Sequence, residues 1–143
     1  MKMQLFAVLS ILTTISSAYA GESMPSPAGA EVYIISPKNG ATVTSPFTVQ
    51  FGLKGMGIAP AGVKFDNTGH HHLFIDTDIP NDASKPIPAN VANKIMHFGK
   101  GQTETTLTLP PGTHTLQLEL ADYVHMPFDP PVVSKKITIH VKK

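Results

Sequence analysis

The stretch that decides the fold is residues 47–54, which read Phe-Thr-Val-Gln-Phe-Gly-Leu-Lys. Large apolar residues occupy every second position, and Thr48, Gln50 and Lys54 are among the residues between them. Successive side chains of a β-strand point to opposite faces, so this alternation predicts a strand with one face in a core. From residue 31 onwards no segment has the three-to-four-residue period of a helix, and the 13 prolines of the chain would break long helices. The sequence therefore predicts an all-β protein.

Six further segments show strand signals, most of them bounded by turns. The strongest signal is a hairpin, in which Pro110-Pro111-Gly112 separates a strand over 103–109 from a strand over 113–120. The other predicted strands are a short run around Val32 and Ile34, residues 70–77, residues 95–98 and residues 135–141. About seven short strands separated by turns are typical of an Ig-like antiparallel β-sandwich.

The N-terminal segment differs in character from the rest of the chain. Residues 1–20 have a positive start at Lys2, an apolar stretch and a small-x-small cleavage site at Ala18-Tyr19-Ala20, which together predict a signal peptide. Residues 21–30 are predicted to be a flexible leader, and residues 31–143 a single β-sandwich domain. We therefore expect an exported protein, periplasmic in a Gram-negative cell, with no membrane span in its mature form and with no protein partner that the sequence identifies.

The composition excludes several classes of protein. The chain has 143 residues, a net charge of +1 and no cysteine, which rules out disulfide scaffolds, thiolate metal sites and cysteine nucleophiles. All of its basic residues are lysines, and a balanced charge without arginine argues against nucleic-acid binding. The unusual feature is its seven histidines.

Three of the histidines are consecutive, at positions 70–72. On a strand His70 and His72 point to one face, about 7 Å apart at the backbone. Two imidazole nitrogens at that separation can meet on one metal ion, because each bond is only about 2 Å long. His71 faces the opposite side with Leu73, and we expect it to support the site by hydrogen bonding through its second nitrogen.

Ig strand order would bring more of these residues to one end of the sandwich. The turns predicted at that end contain His97 and His125 together with three methionines, and loop ends of rigid folds are common binding sites. The predicted metal ligands are His70, His72, His97 and His125, with His71, Met126, Met96 and Met56 as further candidates. His114 alternates with leucines and is expected to be a hydrogen-bonded core residue, whereas His140 is expected to face solvent.

Imidazole and thioether ligands without thiolate favour copper, with zinc as the second choice and nickel also compatible. Three other interpretations stay open: a structural histidine network, an organic-ligand site, and a surface whose histidines titrate together. Enzyme signatures are weak, since there is no Gly-x-Ser-x-Gly elbow and no phosphate-binding glycine loop. Asp76 and Asp78 could form a calcium or general-base pair, and His70, His72 and Asp76 could form an iron site, but the expectation is a protein without enzymatic activity.

Several motifs in order along the chain resemble those of the family of domain of unknown function 4399 (DUF4399). They include residues 35–43, 51–57, 69–73, 97–104 and 110–118, followed by Asp129-Pro130-Pro131-Val132. The resemblance extends from about Val32 to Val141 and implies a small exported bacterial protein with a β-rich domain and no established activity. The His-rich stretch of the family coincides with residues 70–72. The role of these residues as ligands is inferred from their chemistry and spacing and not from the family.

The leading hypothesis from the sequence is a periplasmic β-sandwich protein that binds copper or zinc through the histidine cluster. The alternative is an interaction module of the cell envelope, or a small-ligand-binding module, in which the histidines are structural. A third hypothesis, a metalloenzyme of oxygen or hydrolysis chemistry, requires an open coordination position beside a pocket.

Overall fold

The computed structural model describes residues 22–143, so the predicted signal peptide over residues 1–20 lies outside the described residues. The described chain forms nine β-strands and no helix. In chain order the strands are β1 (Glu31–Ser36), β2 (Thr42–Thr44), β3 (Phe47–Lys54), β4 (Gly57–Ile58), β5 (Thr68–Ile75), β6 (Ile95–His97), β7 (Glu104–Leu107), β8 (Gly112–Ala121) and β9 (Ile137–Lys142).

The strands form two sheets. The smaller sheet has the order β1-β3-β7, and the larger has the order β2-β9-β8-β5-β4, with β6 paired to β5. Neighbouring strands are antiparallel except for the parallel pairs β2–β9 and β4–β5. Apolar residues from both sheets form the main core, including the buried Val49 and Phe51 of the smaller sheet and Leu73, Leu118 and Ile139 of the larger.

The all-β prediction is confirmed. The predicted hairpin is wrong, because β7 pairs with β3 in the smaller sheet whereas β8 pairs with β5 and β9 in the larger. The described residues hold nine strands rather than about seven, because β2 and β4 have only three and two residues and give too little alternation to be recognised. The orders β1-β3-β7 and β9-β8-β5 agree with the strand neighbours of an Ig domain. The larger sheet curls into a half-barrel, so the sandwich arrangement itself stays a prediction.

The outer face of the larger sheet is covered rather than exposed to solvent. Phe74 of β5, Ile95 of β6 and Ala121 of β8 pack there with Ile87, which lies in the long connection between β5 and β6. Every residue of β5 from Gly69 to Ile75 is therefore buried, whichever face its side chain occupies.

The described part of the predicted leader, residues 22–30, is attached to the domain. The Ser26 amide donates to the Asp129 carbonyl at 3.0 Å, and the Asp129 amide donates to the Met24 carbonyl at 2.9 Å. Met24 also packs against the main core. These hydrogen bonds connect the segment to residue 129, and the flexibility expected of the leader stays a prediction. Within residues 22–143, no helix has the length and hydrophobicity that a membrane crossing requires.

Candidate metal centre

Four histidines from three parts of the chain meet on the covered outer face of the larger sheet. His70 and His72 project from the same face of β5. His97 of β6 is the register partner of His72, so the two side chains share that face. His125 lies in the turn after β8. Strand β8 pairs with the edge of β5 opposite to the one that pairs with β6.

The four imidazole rings are in mutual contact. Their centroids are separated by 4.7 to 5.8 Å. The Nε2 atoms of His97 and His125 are 3.0 Å apart. When each ring offers one nitrogen, the four nitrogens all lie within 4.8 Å of one another. The structure therefore brings together the four histidines predicted as ligands.

The turn that presents His125 is held by the carboxylate of Asp122. Its Oδ1 accepts hydrogen bonds from the amides of Val124 and Met126, both at 2.9 Å, and its carbonyl accepts one from the His125 amide at 3.0 Å. His125 itself has a φ of 70°, a left-handed conformation that a non-glycine residue adopts only when its surroundings impose it. The ring is therefore positioned by the turn.

Glycine at position 99 leaves room for the ring of His97. A Cβ atom at Gly99 would lie 2.2 Å from Cε1 and 2.5 Å from Nε2 of His97. Any larger residue would displace this ring, so Gly99 is part of the geometry of the cluster.

Burial keeps the two β5 histidines of the cluster neutral. His70 and His72 are both 0% exposed, and none of their four ring nitrogens has a hydrogen-bond partner. Desolvation, followed by repulsion from the neighbouring histidines, lowers the pKa of His70 to about 4 and that of His72 to about 2. Desolvation and His125 also lower the pKa of the half-buried His97. Neutral imidazole is the form that binds metals.

The cluster is close to the dimensions of a metal site. Four nitrogens at about 2.0–2.1 Å from one ion stand about 3.3 Å apart in a tetrahedron. The largest separation here, 4.8 Å, exceeds that value by an amount that small ring rotations can remove. Four imidazoles suit zinc, copper and nickel. The arrangement could hold a single metal ion.

His71 is buried on the opposite face of β5, against the main core. Its ring packs edge-on to Phe51 with centroids 5.1 Å apart, and burial lowers its pKa to about 4. The expectation that His71 supports the cluster by a hydrogen bond is wrong, because neither of its nitrogens has a partner among the described residues. The apolar core around His71 offers it no such group.

The methionines predicted as outer members lie in different places. Met96 is the register partner of Leu73 and therefore shares its core-facing side, and both Met96 and Met56 pack against the main core. Met126 is 2% exposed and directly follows His125 in the turn. Two of the three thioethers are thus directed to the core instead of to the four histidines.

The remaining two histidines occupy the places expected for them. His114 is buried, with Nδ1 at 2.7 Å from Asp76 Oδ2 and Nε2 at 2.8 Å from the Pro110 carbonyl, and the hydrogen bond to Asp76 raises its pKa. His140 is exposed.

The two aspartates considered for a carboxylate site also have structural roles. Asp76 binds His114 and the Thr115 amide at the other end of β5 from His70, so it does not join an iron site with His70 and His72. Asp78 is exposed and pairs with Lys136.

A buried glutamate next to the cluster was not identified from the sequence. Glu119 of β8 is the register partner of His72, is 3% exposed and has a pKa raised to about 7 by desolvation. The alternation along β8 places Glu119 on the outer face of the larger sheet. In a sheet that packs against a core on one face only, that outer face would be exposed to solvent. Glu119 is buried because the connection between β5 and β6 covers this face.

Comparisons with known proteins support the motif resemblance. A family model described as "Domain of unknown function (DUF4399)" matches residues 49–142, a range that includes all four clustered histidines. The comparison with curated proteins and that with solved structures each found no match. The chain belongs to the DUF4399 family.

Proposed function

We propose that this protein is an exported, non-enzymatic binding protein for a transition-metal ion, held by His70, His72, His97 and His125. The observation that carries the proposal is the mutual approach of the four ligand nitrogens to within 4.8 Å. Two of these rings are fully buried with no hydrogen-bond partner. A buried polar group without a partner costs about 1–3 kcal/mol, and a metal ion would supply the missing partner for one nitrogen of each ring.

Copper(II) is the ion we favour, with zinc second. The four clustered donors are all imidazoles, and Met56 and Met96 pack against the core. Nitrogen donors argue for a divalent ion over the softer copper(I). Among divalent ions copper(II) binds nitrogen sites most tightly. Both copper(II) and zinc are compatible with four coordinating nitrogens.

The number of protein ligands favours binding over catalysis. Catalytic zinc sites keep one position open for water or substrate, whereas closed sites have four protein ligands. All four positions would be filled here. His97 and His125 are half-buried while His70 and His72 are buried, so the ion would enter from the side of β6 and the turn after β8.

The experiment is a competition titration of the metal-free protein with copper(II) and with zinc against chelators of known affinity. We expect sub-micromolar binding of one ion per chain, with nitrogen ligands visible in the copper(II) electron paramagnetic resonance spectrum. The double variant His70→Ala/His72→Ala should lose this binding. His140→Ala is the matched control, because His140 is exposed and outside the cluster, and it should bind as the unmodified protein does.

The proposal is wrong if binding is only millimolar, or if the His70→Ala/His72→Ala variant binds as tightly as the control. Thermal unfolding of each variant in metal-free buffer shows whether it still folds. Should the double variant not fold, His97→Ala tests the same point, because its ring is half-buried and lies at the edge of the cluster.

Export is supported by the pattern of residues 1–20, with its positive start, apolar stretch and small-x-small site. We expect the protein made in a Gram-negative cell to be recovered in the periplasmic fraction and to begin at Gly21. Intact-mass measurement of the purified protein tests this directly. Recovery in the cytosol with residues 1–20 still attached would contradict it.

A further inference from the structure

Two adjoining cavities lie beside the histidine cluster, under the connection between β5 and β6. Their volumes are about 230 Å³ and about 500 Å³. Both are lined by Pro80 and by Glu119, so the side chain of Glu119 stands at their junction. The smaller cavity is otherwise mostly apolar, with Pro86, Ile87 and Pro127 in its wall.

Glu119 is the buried polar group of these cavities. It is 3% exposed, and its Oε2 has no hydrogen-bond partner. Among the described residues that line the two cavities, Lys85 is the one cation, and its Nζ is already 2.8 Å from Asp82 Oδ2. Glu119 therefore lines both cavities without a positive partner from the lining.

The charge at this place favours a cation from outside the chain. An unpaired buried carboxylate is costly, and an opposite charge with hydrogen-bond donors offsets that cost. The larger cavity adds Asp78 to the lining, but Asp78 is already paired with Lys136, so among the described lining residues Glu119 is the carboxylate without a cation partner.

The residues that line the smaller cavity indicate which kind of cation fits there. A metal ion needs several oxygen or nitrogen ligands around it, whereas the smaller cavity offers one buried carboxyl among prolines and an isoleucine. An alkyl chain suits such walls, and prolines restrict the backbone, so the cavity is largely preformed. At about 30 Å³ for each water-sized group, its volume admits about seven such groups.

We propose that the smaller cavity binds a small organic cation. The cation is a primary alkylammonium group whose N–H groups donate to the carboxylate of Glu119. The alkyl chain lies against Pro86, Ile87 and Pro127. None of the four clustered histidines lines either cavity, and the ligand would bind the metal-free protein.

The test uses n-butylammonium and, as a neutral probe of the same size, 1-butanol. Each is titrated into the metal-free protein at about pH 8, where the amine is protonated and the carboxyl is ionised, while backbone amide resonances are followed by NMR. We expect butylammonium to shift the amides of Gln117, Glu119 and Ile87. 1-Butanol should bind about tenfold or more weakly, since a hydrogen bond to a charged group is worth about that factor.

Variants separate recognition by Glu119 from general charge attraction. Glu119→Gln keeps the shape of the side chain and should weaken butylammonium binding by about tenfold or more, with little effect on 1-butanol. Glu104→Gln removes one negative charge from an exposed strand position and should leave binding unchanged. Butanol binding as tight as that of butylammonium, equal binding by Glu119→Gln, or no shifts of the cavity amides would each overturn the proposal.

Discussion

A methyl group added at Gly99 tests whether the ring of His97 is a metal ligand. The Cβ of Gly99→Ala would lie 2.2 Å from Cε1 of His97. Ordinary contact begins at 3.4 Å, so the ring must move by about 1.2 Å. Metal–ligand distances tolerate only about 0.2 Å, and the moved ring cannot keep its place in the donor set.

The expected result is weaker metal binding without loss of the fold. Changes that only disturb the orientation of a ligand cost about 10- to 100-fold in metal affinity, so displacement of a whole ligand should cost about 100-fold or more. The free energy of unfolding of the metal-free protein should change by less than about 1 kcal/mol, because the backbone of Gly99 is one that alanine can adopt and the His97 ring is half-buried at the edge of the site.

The assay is competition titration with copper(II), together with urea unfolding of the metal-free protein. Gly57→Ala is the matched control, since its Cβ would meet only Thr68 Cγ2, at 3.3 Å, and it should bind metal as the unmodified protein does. If Gly99→Ala binds as tightly as Gly57→Ala, the ring of His97 is not a ligand and the reasoning from the cluster geometry fails.

Two other contacts allow further tests. Asp122→Ala removes the acceptor for the amides of Val124 and Met126. The free energy of unfolding, measured by urea unfolding, should fall by about 1.5–3 kcal/mol. An unchanged stability would show that the turn does not need this carboxylate. Asp76→Asn replaces the carboxylate whose hydrogen bond, and then charge, raise the pKa of His114. That contribution is fully present below about pH 6.5 and disappears as the pH rises through the raised pKa. Urea unfolding should therefore show a loss of about 1 kcal/mol near about pH 6 and a smaller loss near about pH 9; equal losses would contradict this assignment.

The strands, and the shared face of His70 and His72, could be predicted because both depend on neighbours in the sequence. Alternation placed Phe51 in the core and put His70 and His72 on one face. His97 and His125 required strand order as well, and the order of the main strands agrees with the one assumed.

The environment of the site could not be predicted, since it is created by segments distant in sequence. The cover over the outer face depends on how the connection containing Ile87 packs against β5 and β8. No local pattern reports this packing, so the burial of Glu119 was missed. Met96 was assigned to the site from its neighbour His97, but adjacent residues on a strand face opposite sides, and its register with Leu73 directs it to the core.

The four histidines come from three separate parts of the chain, and His97 and His125 are 28 residues apart. An ion held by all of them would be a cross-link between β5, β6 and the turn after β8, in a chain that has no cysteine to form a disulfide. Such a cross-link stabilises the folded chain by an amount that grows with the logarithm of the free metal concentration, about 2.7 kcal/mol at a hundredfold excess of free metal over the dissociation constant. The stability of this domain would then depend on the local supply of metal, and a competing chelator would lower it without breaking any covalent bond of the chain.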